Sequence, residues 1–188
     1  MTGRPQNLQR MKPTVIACQA PPHSAIAARL AGAHFHDAWS VVAAEPGLSA
    51  LGQFLRAAAA TPGWVNVLMS IRNQAAAAIG LKNLGGLGSV GRMKAEADYQ
   101  PGDRVGIFTL IENTPQEVLM GDNDKHLEVV LSVHRALPSA SGETIVTVTT
   151  VVHIHNLLGR LYMLPVAPLH KIIAPSVLQA IGRTRVVV

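Results

Sequence analysis

The chain has 188 residues, a length that fits one domain and buries about 70% of the unfolded surface, so a full core forms without disulfides. An apolar fraction of 48% beside a charged fraction of 14% describes a globular protein with an apolar surface or a cavity, and such a surface favours association with a second copy. The net charge is +5, but Arg4, Arg10, Lys12, Arg183 and Arg185 are scattered and no basic run sits among aromatics, which argues against a nucleic-acid partner.

Residues 1–22 carry prolines, glutamines and basic residues without period and read as a loosely ordered arm, with an extended piece at Thr14 to Ala17. Pro5, Gln6, Asn7, Gln9 and Arg10 leave no apolar core for a signal peptide. Cys18 is the only cysteine, which excludes an intrachain disulfide and agrees with a reducing compartment. Residues 23–188 read as one domain. Ala25 to Ala31 fits a short helix, and Ala38 to Ala44 a strand bounded by Asp37 and by Glu45-Pro46-Gly47. Ser49 caps a helix running to Ala60. Thr61 is the predicted cap of a second helix, with Pro62 at its first position and Trp64, Leu68, Ile71 and Ala75 as a buried stripe. Asn83 to Gly91 holds four glycines in nine residues and reads as a loop; without a Lys-Ser/Thr pair it is not taken for a phosphate cradle.

Sheet follows. Arg104 to Asn113 is predicted as one strand, and Glu117 to Gly121 as its partner after Thr114-Pro115. Asp122, Asn123 and Asp124 make a turn, a better explanation of the two acids than a calcium loop, because the further oxygen ligands are missing. His126 to Ala136 and Thr144 to Asn156 form long strands joined through Pro138 to Gly142. Arg160 to Leu164 is predicted as a shorter strand, Pro165 and Pro168 as the end of the sheet, and His170 to Ile181 as an amphipathic helix with a kink at Pro175. No apolar run approaches the ~18 residues of a spanning helix, so no membrane contact is expected and a cytoplasmic location is the expectation.

Alternation assigns two faces to the long hairpin. Leu127, Val129, Leu131 and Val133 share one face, as do Val146, Val148, Thr150, Val152 and Ile154 on the next strand; these are predicted to line the inside. The other face holds His126, Glu128, Ser132 and His134, beside Thr147, Thr149, His153 and His155. A turn near Ala140 and Ser141 pairs Glu128 with His153 and His126 with His155. That patch is a minor candidate for zinc or iron; a solvated face or a polar subunit contact is the preferred explanation, and no metal or cofactor is expected.

The string Asn156-Leu-Leu-Gly159-Arg160-Leu-Tyr162-Met-Leu-Pro165-Val-Ala-Pro168-Leu-His170 stands with Gly121-Asp122-Asn123-Asp124-Lys-His126-Leu127, Pro62-Gly-Trp64-Val, Arg72-Asn73 and His36-Asp37-Ala-Trp39. Together these resemble the bacterial domain of unknown function 2867 family, from about His34 onward. That resemblance extends to the START-like, polyketide-cyclase-like (SRPBCC) superfamily. It implies an α+β helix grip: a curved antiparallel sheet around a C-terminal helix, with two short helices after the first strand. It also implies an apolar ligand pocket, and it supplies no catalytic residues.

Leu127, Val129, Leu131, Val148, Val152 and Ile173 are the candidate apolar wall of such a pocket, and Arg160, Tyr162 and His170 its polar groups. Arg offers a planar fork for a carboxylate or phosphate, Tyr a hydroxyl, and His a proton exchangeable near neutral pH. Arg72 faces either the cavity or a surface partner, and Trp39 and Trp64 are large apolar bodies that fit the core or a ligand. The leading expectation is a module that binds a small hydrophobic molecule in several hundred cubic ångströms of space, within the usual range for ligand pockets. A cyclase, dehydratase or isomerase with Tyr162 and His170 as its acid–base pair is the second, and a homodimer through the outer His/Thr face the third. No Gly-x-Ser-x-Gly or His-Glu-x-x-His frame is present.

Overall fold

The computed structural model describes residues 12–78 and 94–184, of which 75–78 are described by backbone alone. The predicted Gly-rich loop at Asn83 to Gly91, the stripe position Ala75 as a side chain, and Arg4, Arg10 and Arg185 lie outside what is described. The described strands are β1 (Ile16–Ala17), β2 (Phe35–Val42), β3 (Arg104–Val105), β4 (Phe108–Asn113), β5 (Glu117–Asn123), β6 (Leu127–Arg135) and β7 (Ile145–Ile154). They form one curved antiparallel sheet in the order β1-β2-β7-β6-β5-β4-β3. Helices α1 (Ala50–Ala59) and α2 (Gly63–Ala78) follow β2, and α3 (Leu157–Leu178) follows β7. This is the α+β helix-grip order.

The turn chemistry and alternation of the long hairpin explain its pairing. Leu127 faces Ile154, Glu128 faces His153 and Val133 faces Val148, the predicted register. Such a register is pinned because a slip of one residue turns every valine to the wrong face. Pairing of β2 with β7 from Phe35↔Val152 to Val42↔Ile145 then brings the first long strand beside the last.

One face of the sheet carries the main core, in which Leu51, Phe54 and Ala57 of α1 meet Val118, Met120, Val133 and Val146. Ser49 caps α1 by accepting the Gly52 amide at 3.0 Å. Buried Arg56 donates to the Ala180 carbonyl at 3.1 Å, and also to Glu45 and the Arg183 carbonyl, which ties α1 to the turn after α3.

The opposite face is not solvated along its centre. Ile26, Leu119, Val130 and Val151 form a second cluster, covered by Ala20, Ala25, Leu30 and Ala33. Ser132 and Thr149 are 0% and 1% exposed. The predicted open His/Thr face is corrected on this point: residues 20–33, including the 3-10 turn Ala25–Arg29, occupy it and leave its middle closed to a second copy.

Three further predictions are corrected. The single strand at Arg104–Asn113 is a hairpin, because Gly106 at φ 62° reverses the chain and pairs Arg104 with Thr109. The buried face of α2 is rotated from the predicted stripe. Of the predicted stripe Leu68 is half-buried and lines the cavity; Val65 and Asn73 are buried and Met69 and Arg72 half-buried, while Trp64 and Ile71 are 44% and 58% exposed. Thr61 turns its hydroxyl back to the Ala57 carbonyl at 3.5 Å instead of capping α2.

Lastly, Arg160–Leu164 is helix. Asn156 caps α3 by accepting the Gly159 amide at 3.1 Å, so the helix starts thirteen residues before the predicted His170 start, counted from Leu157. It runs through Pro165, Pro168 and Pro175. The carbonyls that these prolines deprive of their helical partner belong to Leu161, Leu164 and Lys171, all of them exposed residues on the solvent side of the helix. Among the described residues α3 is long and apolar enough to cross a membrane by length and composition, which the interrupted sequence pattern did not reveal.

Candidate functional site

A cavity of about 260 Å³ lies between the sheet and α3. Leu127, Val129, Leu131, Val148 and Val152 form its sheet wall, since alternation points them all to the concave side, and Ile173 of α3 closes it. Phe35 and Met69 add wall from β2 and α2.

Two polar clusters stand in this apolar lining. In the first, His170 Nδ1 meets Asp37 Oδ2 at 2.9 Å, and His170 Nε2 lies 3.4 Å from Thr150 Oγ1. The Trp39 indole N–H donates to the same Asp37 oxygen at 3.1 Å, and Phe35 sets its ring edgewise to the imidazole, 5.8 Å between centroids. A carboxylate at Nδ1 fixes the proton there and leaves Nε2 for Thr150 or for a ligand. Burial raises the Asp37 pKa, but hydrogen bonds from His170, Trp39 and Thr150 and the charge of His170 outweigh it, so the carboxyl sits below its ordinary value.

A depressed folded pKa contributes stability above the unfolded value and loses it as pH falls through the folded one. Asp37→Asn is therefore expected to cost about 1–3 kcal/mol at neutral pH. The gap from the parent protein should close in acid, below the ordinary Asp value of about 3.9. Urea unfolding of both proteins at pH 7 and pH 3 checks it; a gap that widens in acid contradicts the assignment.

In the second cluster Arg72 Nε donates to the Tyr162 hydroxyl at 2.7 Å and Nη1 to Asn73 Oδ1 at 2.7 Å. The guanidinium also lies 5.2 Å from the Tyr162 ring centre. Tyr162 and His170 are eight residues apart on α3, about 12 Å along its axis. Each is held by a different partner.

The other candidates fall elsewhere. Arg160 is exposed and away from the cavity. Residues two apart share a face in a strand but lie about 200° apart in a helix, so Tyr162 turns inward and Arg160 outward. Trp64 is on the surface, and Trp39 packs at the core edge, reaching the site through Asp37. Asp37 itself was missed. Its signal was available: a carboxylate alternating with Phe35, Trp39 and Val41 on the apolar side of a strand.

On the outer face the predicted pairing of Glu128 with His153 forms, and the His155 amide donates to the His126 carbonyl at 2.8 Å. The side chains nevertheless part: Glu128 pairs with Arg29 at 3.5 Å, His153 meets the Ala31 carbonyl, His155 the Asp124 carbonyl and His126 the Asn156 amide. Among the described residues no group of three or more His, Cys, Asp or Glu could hold a metal ion. Asp124 accepts the His126 and Leu127 amides at 2.6 and 3.1 Å, the work of a turn residue. In the sequence Gly86, Gly88 and Gly91 stand in Gly-x-Gly-x-x-Gly order, and all three lie outside the described residues.

Residues 29–177 match the family model described as Protein of unknown function (DUF2867). No curated protein and no solved structure matches the chain.

Proposed function

This chain belongs to the DUF2867 family, and we propose that it is a START-like binding protein that holds a small apolar molecule between the sheet and α3. The observation that carries this is the cavity of about 260 Å³, walled mainly by apolar side chains from β6, β7 and α3, with the Arg72–Tyr162 and His170–Thr150 pairs set in that wall and Asp122, Asp124 and His126 at its border. Ligand pockets have this composition: apolar walls supply affinity and a few polar groups set orientation. An acid–base pair of Tyr162 and His170 is less well supported, because Arg72 holds one and Asp37 the other, two helical turns apart.

Native mass spectrometry of the purified protein should show a bound small molecule that organic extraction releases. Ala174 lines the cavity from α3, and Ala174→Phe places a ring in it. That variant is expected to keep its circular dichroism and to bind a neutral fluorescent naphthylamine at least tenfold more weakly. Binding as tight as that of the parent protein would move the site away from this cavity.

A further inference from the structure

We propose that the ligand is an apolar carboxylic acid, its carboxylate held by Arg72 and Tyr162; this rests on the binding function proposed above. Arg72 is half-buried in the cavity wall, and it is the one Lys or Arg among the described lining residues. Its hydrogen-bond partners, the Tyr162 hydroxyl and the Asn73 amide oxygen, are neutral. The sequence has eleven Asp and Glu residues, all of them described, and none forms an ion pair with it. A guanidinium withdrawn from water beside an apolar hollow, without a counter-charge, carries a desolvation cost that a bound anion relieves.

The free donors suit a carboxylate. Guanidinium has five N–H groups; one goes to Tyr162 and one to Asn73, which leaves three, including both on Nη2. Tyr162 takes the Arg72 proton on its oxygen, so its own O–H remains to donate to an anion. The site therefore offers a fork and a hydroxyl to a planar, singly charged acid. A phosphate monoester with its second charge asks for another fixed cation, which the wall does not provide. Asp122 and Asp124 also border the cavity, but Asp122 lies 3.6 Å from Arg104 and Asp124 is occupied by backbone amides. From Tyr162, the partner of Arg72, the wall leads about 12 Å along α3 to His170, the span of an extended or aryl tail.

Titration calorimetry with medium-chain and arylacetic acids, each beside its primary amide, tests this at pH 7.5. The acids are expected to bind the parent protein at least tenfold more tightly than their amides. Arg72→Met should erase that preference and leave amide affinity within about twofold, with folding checked by circular dichroism. Equal binding of acid and amide by the parent protein overturns the carboxylate inference and leaves the apolar site standing. So does an Arg72→Met variant that weakens both equally. Failure of every acid and amide to bind overturns both proposals. The comparison on the parent protein needs no variant, so an unfolded Arg72→Met does not shelter the inference.

Discussion

Glu117→Ala is expected to lower the free energy of unfolding by about 3–5 kcal/mol, the range for stripping a buried charged acceptor from its donors. Glu117 opens β5 and is only 8% exposed. Its carboxylate accepts the Ala25 amide at 2.6 Å, the Ile26 amide at 3.3 Å and the Ser132 hydroxyl at 2.7 Å. Alanine leaves three donors without partners on the covered side of the sheet. The 3-10 turn at Ala25–Arg29 then loses its anchor, and Leu119, Val130 and Val151 lose their cover. Glu117→Gln retains one acceptor oxygen and should cost about half as much. Urea denaturation gives the magnitude, and hydrogen exchange at Ala25 and Ile26 gives its location. A loss under about 1 kcal/mol, with those amides still protected, would show that apolar packing alone holds the segment. The cavity lies on the other face, so ligand affinity of the folded fraction should not change.

Gly159→Ala should cost about 3 kcal/mol, opposite in sign to its local effect. Within a helix alanine is favoured over glycine by about 1 kcal/mol, so propensity alone raises the melting temperature. Here α3 begins against the end of the long hairpin. A Cβ on Gly159 would overlap the His126 carbonyl oxygen and lie 2.9 Å from Ile154 Cγ2. A backbone carbonyl cannot swing aside as a side chain can, so the first turn of α3 must lift. Tyr162 lies on the next turn, and its contact with Arg72 would shift with it. The variant should melt lower and lose affinity for a cavity ligand. A rise in melting temperature would mean that α3 does not press on β6 as closely as Gly159 requires.

Local rules account for much of this molecule. The hairpin β6–β7, its register and its apolar side follow from a period of two between clear turn residues, because one face must be dry. Ser49 likewise marks the start of α1 through a contact three residues away. Where two periods compete, local rules mislead. Arg160 to Leu164 is short and apolar enough to pass for a strand, and Pro165, Pro168 and Pro175 after it disguise a helix that places the residues four before them on its exposed side. The phase of α2 was misjudged for a related reason: Trp64 and Val65 are both apolar, and packing selects which one enters the core.

The residues of the chain, read alone, were enough for the container: the grip order, the concave wall and the pairing of the long hairpin. They were not enough for its polar equipment. Asp37 meets His170 across 133 positions and Arg72 meets Tyr162 across 90. Such meetings depend on the rotation of α2 and α3 against the sheet. That rotation is settled by how side chains fill space between elements far apart in the chain, and it leaves no periodic trace in either segment.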